Sequence, residues 1–577
     1  MSKKVSSSVI TILLACLCVA VYYLTLPALT IRSAGLWWFV LLCLFCVTVS
    51  ITCFCGQDHE RVIEEVGSTI MVAVLVIFCV CGLISGMIFH SGKAQQVADV
   101  TVSENKIVDV FTDITAEESF NNLPLVDLDT AQMLGDKKVA QLKHASWYDV
   151  DDEYNLIQYQ GKYYRLSVID YGGYWKYRKA KHDGLPGYVL VSATSKNGVV
   201  TQEATVIQLD EAIRYSPGAF WSFDLRRHLR SQYPSYIFDE SYLEIDESAT
   251  PYWITGVLRP TAGVFGVKTV TSFIVTNAQT GESQEYSIDD APEWIDHIFS
   301  LKYLMEITEW HYAYIEGYWN NVFSKTNVWR TSYYFRDKHK NDSDSAAGKF
   351  ANFFGYSSII QNDQVMLYTG LTAANKADSN LGWLIIDTSS GKITEYQFKD
   401  ENGRNASGAE ESSAQAAVEQ LVQAMGYEAT FPLPVNIAGE PSYIMCLKGK
   451  AGLIQAYAIC NINNFSIAVQ AETLDKALNL YLNKLGKDAV YDTDVAEDTS
   501  DDQNPEAEVL EITGKVAEIY TAEVNGTTQF YYVIGNELYR SSIKLNELQV
   551  TWKVGDELTV TFYEDGALRV VTDIKKN

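Results

Sequence analysis

The chain has 577 residues, with 45 Lys and Arg against 72 Asp and Glu. At roughly 150 residues per domain it holds three or four units. Its charge is uneven: residues 1–95 carry five bases and four acids, which leaves 40 bases against 68 acids, a net of −28, in the remainder. So acidic a body repels nucleic acid and anionic lipid heads at long range, which excludes a nucleic-acid partner.

Three uncharged runs come first, at about 9–31, 34–55 and 69–90. A helix rising 1.5 Å per residue crosses the hydrocarbon of a bilayer in roughly 20 residues. Residues 1–95 therefore read as a three-helix transmembrane anchor with the lipid bilayer as partner, and not as a cleaved signal, which has one short apolar stretch. Lys3, Lys4 and Arg61 share one side of it, and Arg32 and Lys93 the other. Three bases against two favour a cytoplasmic amino terminus and an extracellular body.

Eight of the ten cysteines lie in these runs. Cys-x-Cys pairs on a helix point about 200° apart and cannot converge on one ion. They read as small hydrophobes between helices, and no metal site or cofactor is expected. The body keeps only Cys446 and Cys460, so it does not depend on a disulfide framework.

In the body a polar lead-in over about 91–125 precedes a short helix near 128–142. Strands follow at 156–159, 163–168 and 188–191, with Asp183-Gly184 and Pro186-Gly187 as turn signals. The spacing predicts a helix over 217–232, with Trp221, Leu225 and Leu229 on one face. Its bases Arg226, Arg227, His228 and Arg230 suit either an anion site or the helix's own C-terminal dipole. In the strand at 241–246, Leu243 and Ile245 alternate with Glu244 and Asp246, the pattern of a half-buried strand. A long helix over 293–320 carries an aromatic stripe, Trp310, Tyr314 and Tyr318, expected in the core. Further strands lead to a helix at 409–425, a hairpin across Gly449–Gly452 and a helix at 472–485.

A helix followed by several strands occurs twice, an α+β pattern. In element order alone it resembles PepSY or cystatin-type modules. The expected division is a lead-in and β-rich region at 96–208, an α+β module at 209–326 and a second at 327–487. An acidic linker at 488–508 carries nine acids and no base. Residues 509–577 read as five short strands in a small β-barrel, OB-like in outline. With seven bases against ten acids, this barrel lacks the basic face that single-stranded nucleic acid needs.

No HExxH, Walker loop, GxSxG or CxxC stands in the body, and its histidines are scattered singly. Glu306 and Glu309, three apart on a helix, read as a solvated pair. The one basic and aromatic patch is Tyr171–His182. Within it Tyr174, Trp175, Lys176, Tyr177 and Arg178 are the candidate ligand contacts, rings for a sugar polymer and bases for an anionic one. The structural alternative is an exposed hairpin.

Four phrases occur together: PYW at Pro251–Trp253, PEWID at Pro292–Asp296, YEATFPLPVNI at Tyr427–Ile437 and PSYIMCLKGKAGLIQAYAI at Pro441–Ile459. Over roughly 150–485 the chain thereby resembles a family of uncharacterised multi-span membrane proteins of Gram-positive bacteria. The resemblance implies a membrane location and carries over no activity or catalytic residue. The expected function is a non-catalytic, membrane-anchored extracellular binding or scaffolding protein, partnered by a cell-wall polymer or an envelope protein. The alternatives are an envelope hydrolase or transferase with an unrecognised site, and a membrane sensor. A deep pocket with convergent polar groups of shifted pKa would mark an enzyme; shallow grooves would mark a binder.

Overall fold

The computed structural model describes the chain except residues 1, 55–56, 106–107, 109, 112, 116–122, 152–153, 197–198, 333–354, 375, 399–406, 488–509, 525–526, 536 and 566–567. The expected acidic linker thus lies outside the described residues, as do His339, the Asn525-Gly526 turn and the last four residues, 333–336, of a strand expected at 328–336, whose first part is the strand Trp329–Thr331. Two compact units separate at Asp488/Ala489.

The first unit begins with helices α1 (Ser2–Thr25), α2 (Ala34–Phe54) and α3 (Gln57–Ile84), each long and apolar enough to cross a membrane. Their apolar side chains point outward as well as between helices: Leu13, Val19, Leu24 and Leu83 are all exposed. Helices that are apolar all round suit lipid, not water. A short helix α4 (Met87–Gln95) follows α3 almost at once.

The rest of the unit is β-rich, and the expected boundaries near 208 and 326 do not divide it. Strand Asp99–Ser103, from the supposed lead-in, pairs in parallel with Lys392–Gln397 in a sheet of seven described strands. Helix α5 (Leu128–Val139) is capped by Asp127, whose carboxylate accepts from Thr130 N. Beside it lies a five-stranded sheet from Tyr148 to Ile213, interrupted by helix α6 (Tyr174–Ala180). Helix α7 (Leu225–Gln232) leads into a four-stranded antiparallel sheet over Ile237–Tyr286.

Helix α8 (Leu301–Ala313) is the central packing element. Tyr303, Leu304, Met305 and Ile307 meet Ile254, Val270 and Phe273 of the four-stranded sheet, and Leu367, Leu384 and Ile386 of the seven-stranded one, in a single core. One helix covered by two sheets is what joins the expected modules. The helix ends at Ala313, short of the expected 320. Of the aromatic stripe, Trp310 packs on this core and, with Tyr314, on Ala94 of α4 together with Ala262 and Val267. Helices α9 (Glu411–Leu421) and α10 (Leu474–Lys484) pack on the last sheet, which contains the expected hairpin, Glu440–Lys448 with Ile454–Asn461. In that hairpin Cys446 faces Tyr457 and Cys460 faces Tyr443, so the two thiols are out of register, and both are free.

Three further expectations are corrected. Trp221 does not share the buried face of Leu225 and Leu229: it is 55% exposed, because Asp224 caps α7 after it by accepting from Arg227 N at 2.7 Å. The Tyr171–His182 segment is not a hairpin but contains the helix α6. Glu244 does not face water but is 1% exposed, because its strand packs on Asn155–Tyr159 and Lys162–Tyr171 with its second face.

The second unit is a closed five-stranded barrel. Its order is Leu510–Val524, Thr527–Ile534, Glu537–Ser542, Leu568–Lys576 and Glu557–Asp565, and the last closes on the first. The third strand pairs in parallel with Leu568–Lys576. Tyr532, Tyr539, Leu558, Val560 and Ile574 fill it, which the alternation of apolar residues along each strand requires.

Candidate functional site

The body meets the helices at one foot, where α1 and α3 end and α2 begins. The last carbonyls of an α-helix have no partner within the helix. Here α7 supplies them. The Arg227 guanidinium donates to Tyr23 O at 3.3 Å and stacks on the Tyr23 ring at 4.0 Å. Arg230 is 4% exposed; it donates to Leu26 O, Tyr233 O, Pro234 O and Tyr236 O and lies over the Phe238 ring. His228 is within 2.7 Å of Gly281 O. The basic cluster therefore serves two helix ends: that of α1, 200 residues away, through Tyr23 O and Leu26 O, and that of α7 itself, where Arg230 donates to its C-cap Tyr233 O. Arg226 differs: among the described residues it makes no hydrogen bond or ion pair, and it is exposed.

Two further joints complete the foot. Ser85, just past α3, accepts from Val264 N at 2.9 Å and Phe265 N at 3.0 Å, which binds it to the turn of the hairpin Pro251–Ala262/Gly266–Asn277. A side chain at Gly266 would collide with the Ser85 carbonyl, so this close approach needs glycine. Phe265 packs on Trp37 and Phe78 of α2 and α3. Arg32 donates to Pro260 O at 3.2 Å and Lys93 to Thr261 O at 3.5 Å.

Above the foot is a cleft of about 790 Å³, bounded by α7, the four-stranded sheet and α8. Arg226, Lys268, Lys302, Asp239, Glu240 and Glu306 line it, Lys302 paired with Glu240 at 3.3 Å, with Phe238, Tyr303 and Trp310 as apolar walls. Burial raises the carboxyls of Asp239 and Glu306 above the usual range; the nearby Lys302 works against this at both. Asp239 Oδ2 is buried without a hydrogen-bond partner. A second cavity of about 440 Å³ lies below, walled by Val21, Leu26, Pro27, Trp38 and Phe39 of the helices and by Ile237 and Phe238 of the body. Arg226 and Phe238 line both.

The sequence pointed elsewhere. Of the five candidate contacts, Tyr177 is buried and its hydroxyl donates to Phe220 O at 2.9 Å. Lys176 reaches Asp149 at 3.4 Å. Tyr174 is half-buried against Phe220. Only Trp175, 70% exposed, and Arg178 are presented outward. Aromatic rings run from Trp175 through Tyr174 and Trp221 to Tyr23 of α1. Glu306 and Glu309 part company: Glu306 lines the cleft, while Glu309 accepts from Thr331 N and Oγ1. Asp239, Lys268 and Lys302 were not singled out, because no motif joins residues from three elements.

Two buried polar nodes lie away from the cleft. Glu244 Oε1 is 2.8 Å from His297 Nδ1. Burial holds Glu244 well above the usual carboxyl range, lifts the adjacent Asp296 to about 7 and lowers His297 to about 4. Glu411, at the start of α9, accepts from Tyr368 at 2.5 Å, Ser332 at 2.7 Å and Asn380 at 3.0 Å. Each acceptor oxygen of Glu411 is thus occupied by a protein donor, as in a structural junction.

Comparison with known proteins finds no family model that matches the chain and no curated protein similar to it.

Proposed function

We propose that the chain is a membrane-anchored, non-catalytic binding or scaffolding protein of the cell envelope, its amino terminus cytoplasmic and its body extracellular. The observation that carries this is the cleft at the foot, where Arg226 stands unpartnered beside carboxyls and aromatic walls. The lining has no histidine and no cysteine, and its Ser241 is paired with Thr255 at 2.7 Å. Orientation gains support from Arg32 and Lys93. Both bases on the body side are held by carbonyls of the body, which gives them a local role apart from topology. Lys3, Lys4 and Arg61 then carry the positive-inside bias.

With α1 in a bilayer, Trp221 sits beside Tyr23 at its rim and Trp175 two rings further out. That position favours an interfacial aromatic belt over a polymer platform. A wall-polymer pull-down with a Trp175→Ala, Arg178→Ala variant is expected to match wild type. The strand order of the terminal barrel supports an OB-like module, used for protein contact or as a spacer.

The same cleft carries the feature set out above as the mark of an enzyme, and this favours an envelope hydrolase or transferase: two carboxyls of raised pKa, Asp239 and Glu306, line it, as a general acid requires. Incubation with an envelope extract, followed by mass spectrometry of what is retained, separates the two. The binding function predicts an unaltered molecule, lost when Ser241→Trp fills the cleft. Equal retention by Ser241→Trp overturns it. Conversion to a product, abolished by Glu306→Gln, overturns the non-catalytic part and establishes the enzyme.

A further inference from the structure

The two cavities at the foot have complementary chemistry and a shared boundary. The lower one is an apolar slot between the ends of α1 and α2 and the body; its walls offer hydrocarbon and rings. The upper one is a polar cleft with carboxyls and aromatic walls. Both lie within the roughly 300–1,000 Å³ of ordinary ligand sites. At their junction stand Phe238 and Arg226, common to both linings. Arg230 also borders the slot but is spent on four carbonyls. Arg226 is the cation left over.

We infer that slot and cleft together bind one membrane lipid: its tail in the slot, its phosphate on Arg226 and a hydrogen-bond-donating headgroup in the cleft. This rests on the cleft being the binding site. Each zone selects one part of such a molecule. The slot opens among helices suited to a bilayer, so the molecule that reaches it is a lipid. A guanidinium matches a phosphate in charge and in the geometry of its donors. The buried Asp239 Oδ2 has no hydrogen-bond partner, and Glu306 is a second acceptor of the lining, while Glu240 is already paired with Lys302 at 3.3 Å; a headgroup with hydroxyls or an ammonium can donate to the first two, whereas a choline cannot. Association with the bilayer at large would need none of this. The rest of the body is strongly acidic and turns anionic surfaces away, so a phosphate is held at Arg226 by local contact, not by the general field.

The test uses the full chain in detergent, titrated with phosphatidylglycerol, phosphatidylethanolamine or phosphatidylcholine and read by native mass spectrometry. Wild type is expected to retain one molecule of phosphatidylglycerol or phosphatidylethanolamine, with at least tenfold preference over phosphatidylcholine. Hydroxyl and ammonium heads are told apart by which of the first two binds more tightly. Arg226→Ala, which breaks no contact of the fold, is expected to weaken retention at least tenfold. Thr25→Trp, which fills the slot from an exposed position, is expected to abolish it. Retention by Thr25→Trp equal to wild type, unchanged affinity in Arg226→Ala, or indifference to the headgroup would each overturn the assignment. Loss of lipid binding while Ser241→Trp still blocks capture of an envelope component would overturn the lipid alone and leave the cleft as a binding site. Failure of both would remove the cleft.

Discussion

Replacing Arg230 by Met removes the guanidinium and keeps most of the packing over Phe238. Four carbonyls lose a donor, but not equally. Pro234 O still accepts from Leu29 N, and Tyr233 O from Tyr236 N. Leu26 O and Tyr236 O are left without a partner among the described contacts. A buried acceptor stranded in this way costs about 1–3 kcal/mol; Leu26 O is buried and Tyr236 O half-buried, so the variant is destabilised by about 1–3 kcal/mol through Leu26 O and by less through Tyr236 O. Arg226→Met is the control: exposed and unpartnered, it stays within about 0.5 kcal/mol of wild type. The assay is urea unfolding of the detergent-solubilised protein, followed by tryptophan fluorescence. If Arg230→Met lies within about 1 kcal/mol of wild type, or Arg226→Met is equally damaging, α7 does not clamp the end of α1.

Three other outcomes follow from the buried groups. Glu244 and Asp296 have raised pKa values, so their stability is complete below their ordinary values and is lost as pH climbs, through about 7 for Asp296. His297, lowered to about 4 from 6.5, acts oppositely, losing stability as pH falls through that window. Above about pH 6.5 only the carboxyl effect remains, so Glu244→Gln should lose less melting temperature than wild type between pH 6.5 and 9; parallel profiles would contradict this. Glu411→Ala strands the donors of Tyr368, Ser332 and Asn380 and should cost about 3–9 kcal/mol at about 1–3 kcal/mol for each, with Glu411→Gln milder because it keeps an acceptor; denaturant midpoints decide. Burial pushes the thiol of Cys446 up and that of Cys460 up to about 12, so neither should react with maleimide before unfolding, and a reductant should leave the melting temperature unchanged.

What was legible in the chain was local. A span is a sum over about 20 neighbours, so α1, α2 and α3 could be read directly, as could the hairpin across Gly449–Gly452 and the barrel between its turns. Glu244 was misplaced because alternation along a strand shows one covered face and not the sheet that covers the other. The partners of Arg227 and Arg230 lie 200 residues upstream, beyond any spacing rule. The cleft escaped notice for the same reason: α7, three strands and α8 contribute one to three polar residues each, and none forms a motif alone. Tyr177 looked like a contact by residue type, whereas the turn to a helix at Gly173 sends it inward.

The side of the membrane on which the body stands is tested most directly by an impermeant maleimide on intact cells. Thr205→Cys, exposed on the body, and Glu64→Cys, exposed near the start of α3, report the two sides. Labelling of Thr205→Cys before permeabilisation, with Glu64→Cys protected until lysis, is the predicted result. The reverse pattern would place the acidic body in the cytoplasm and contradict its role in the envelope.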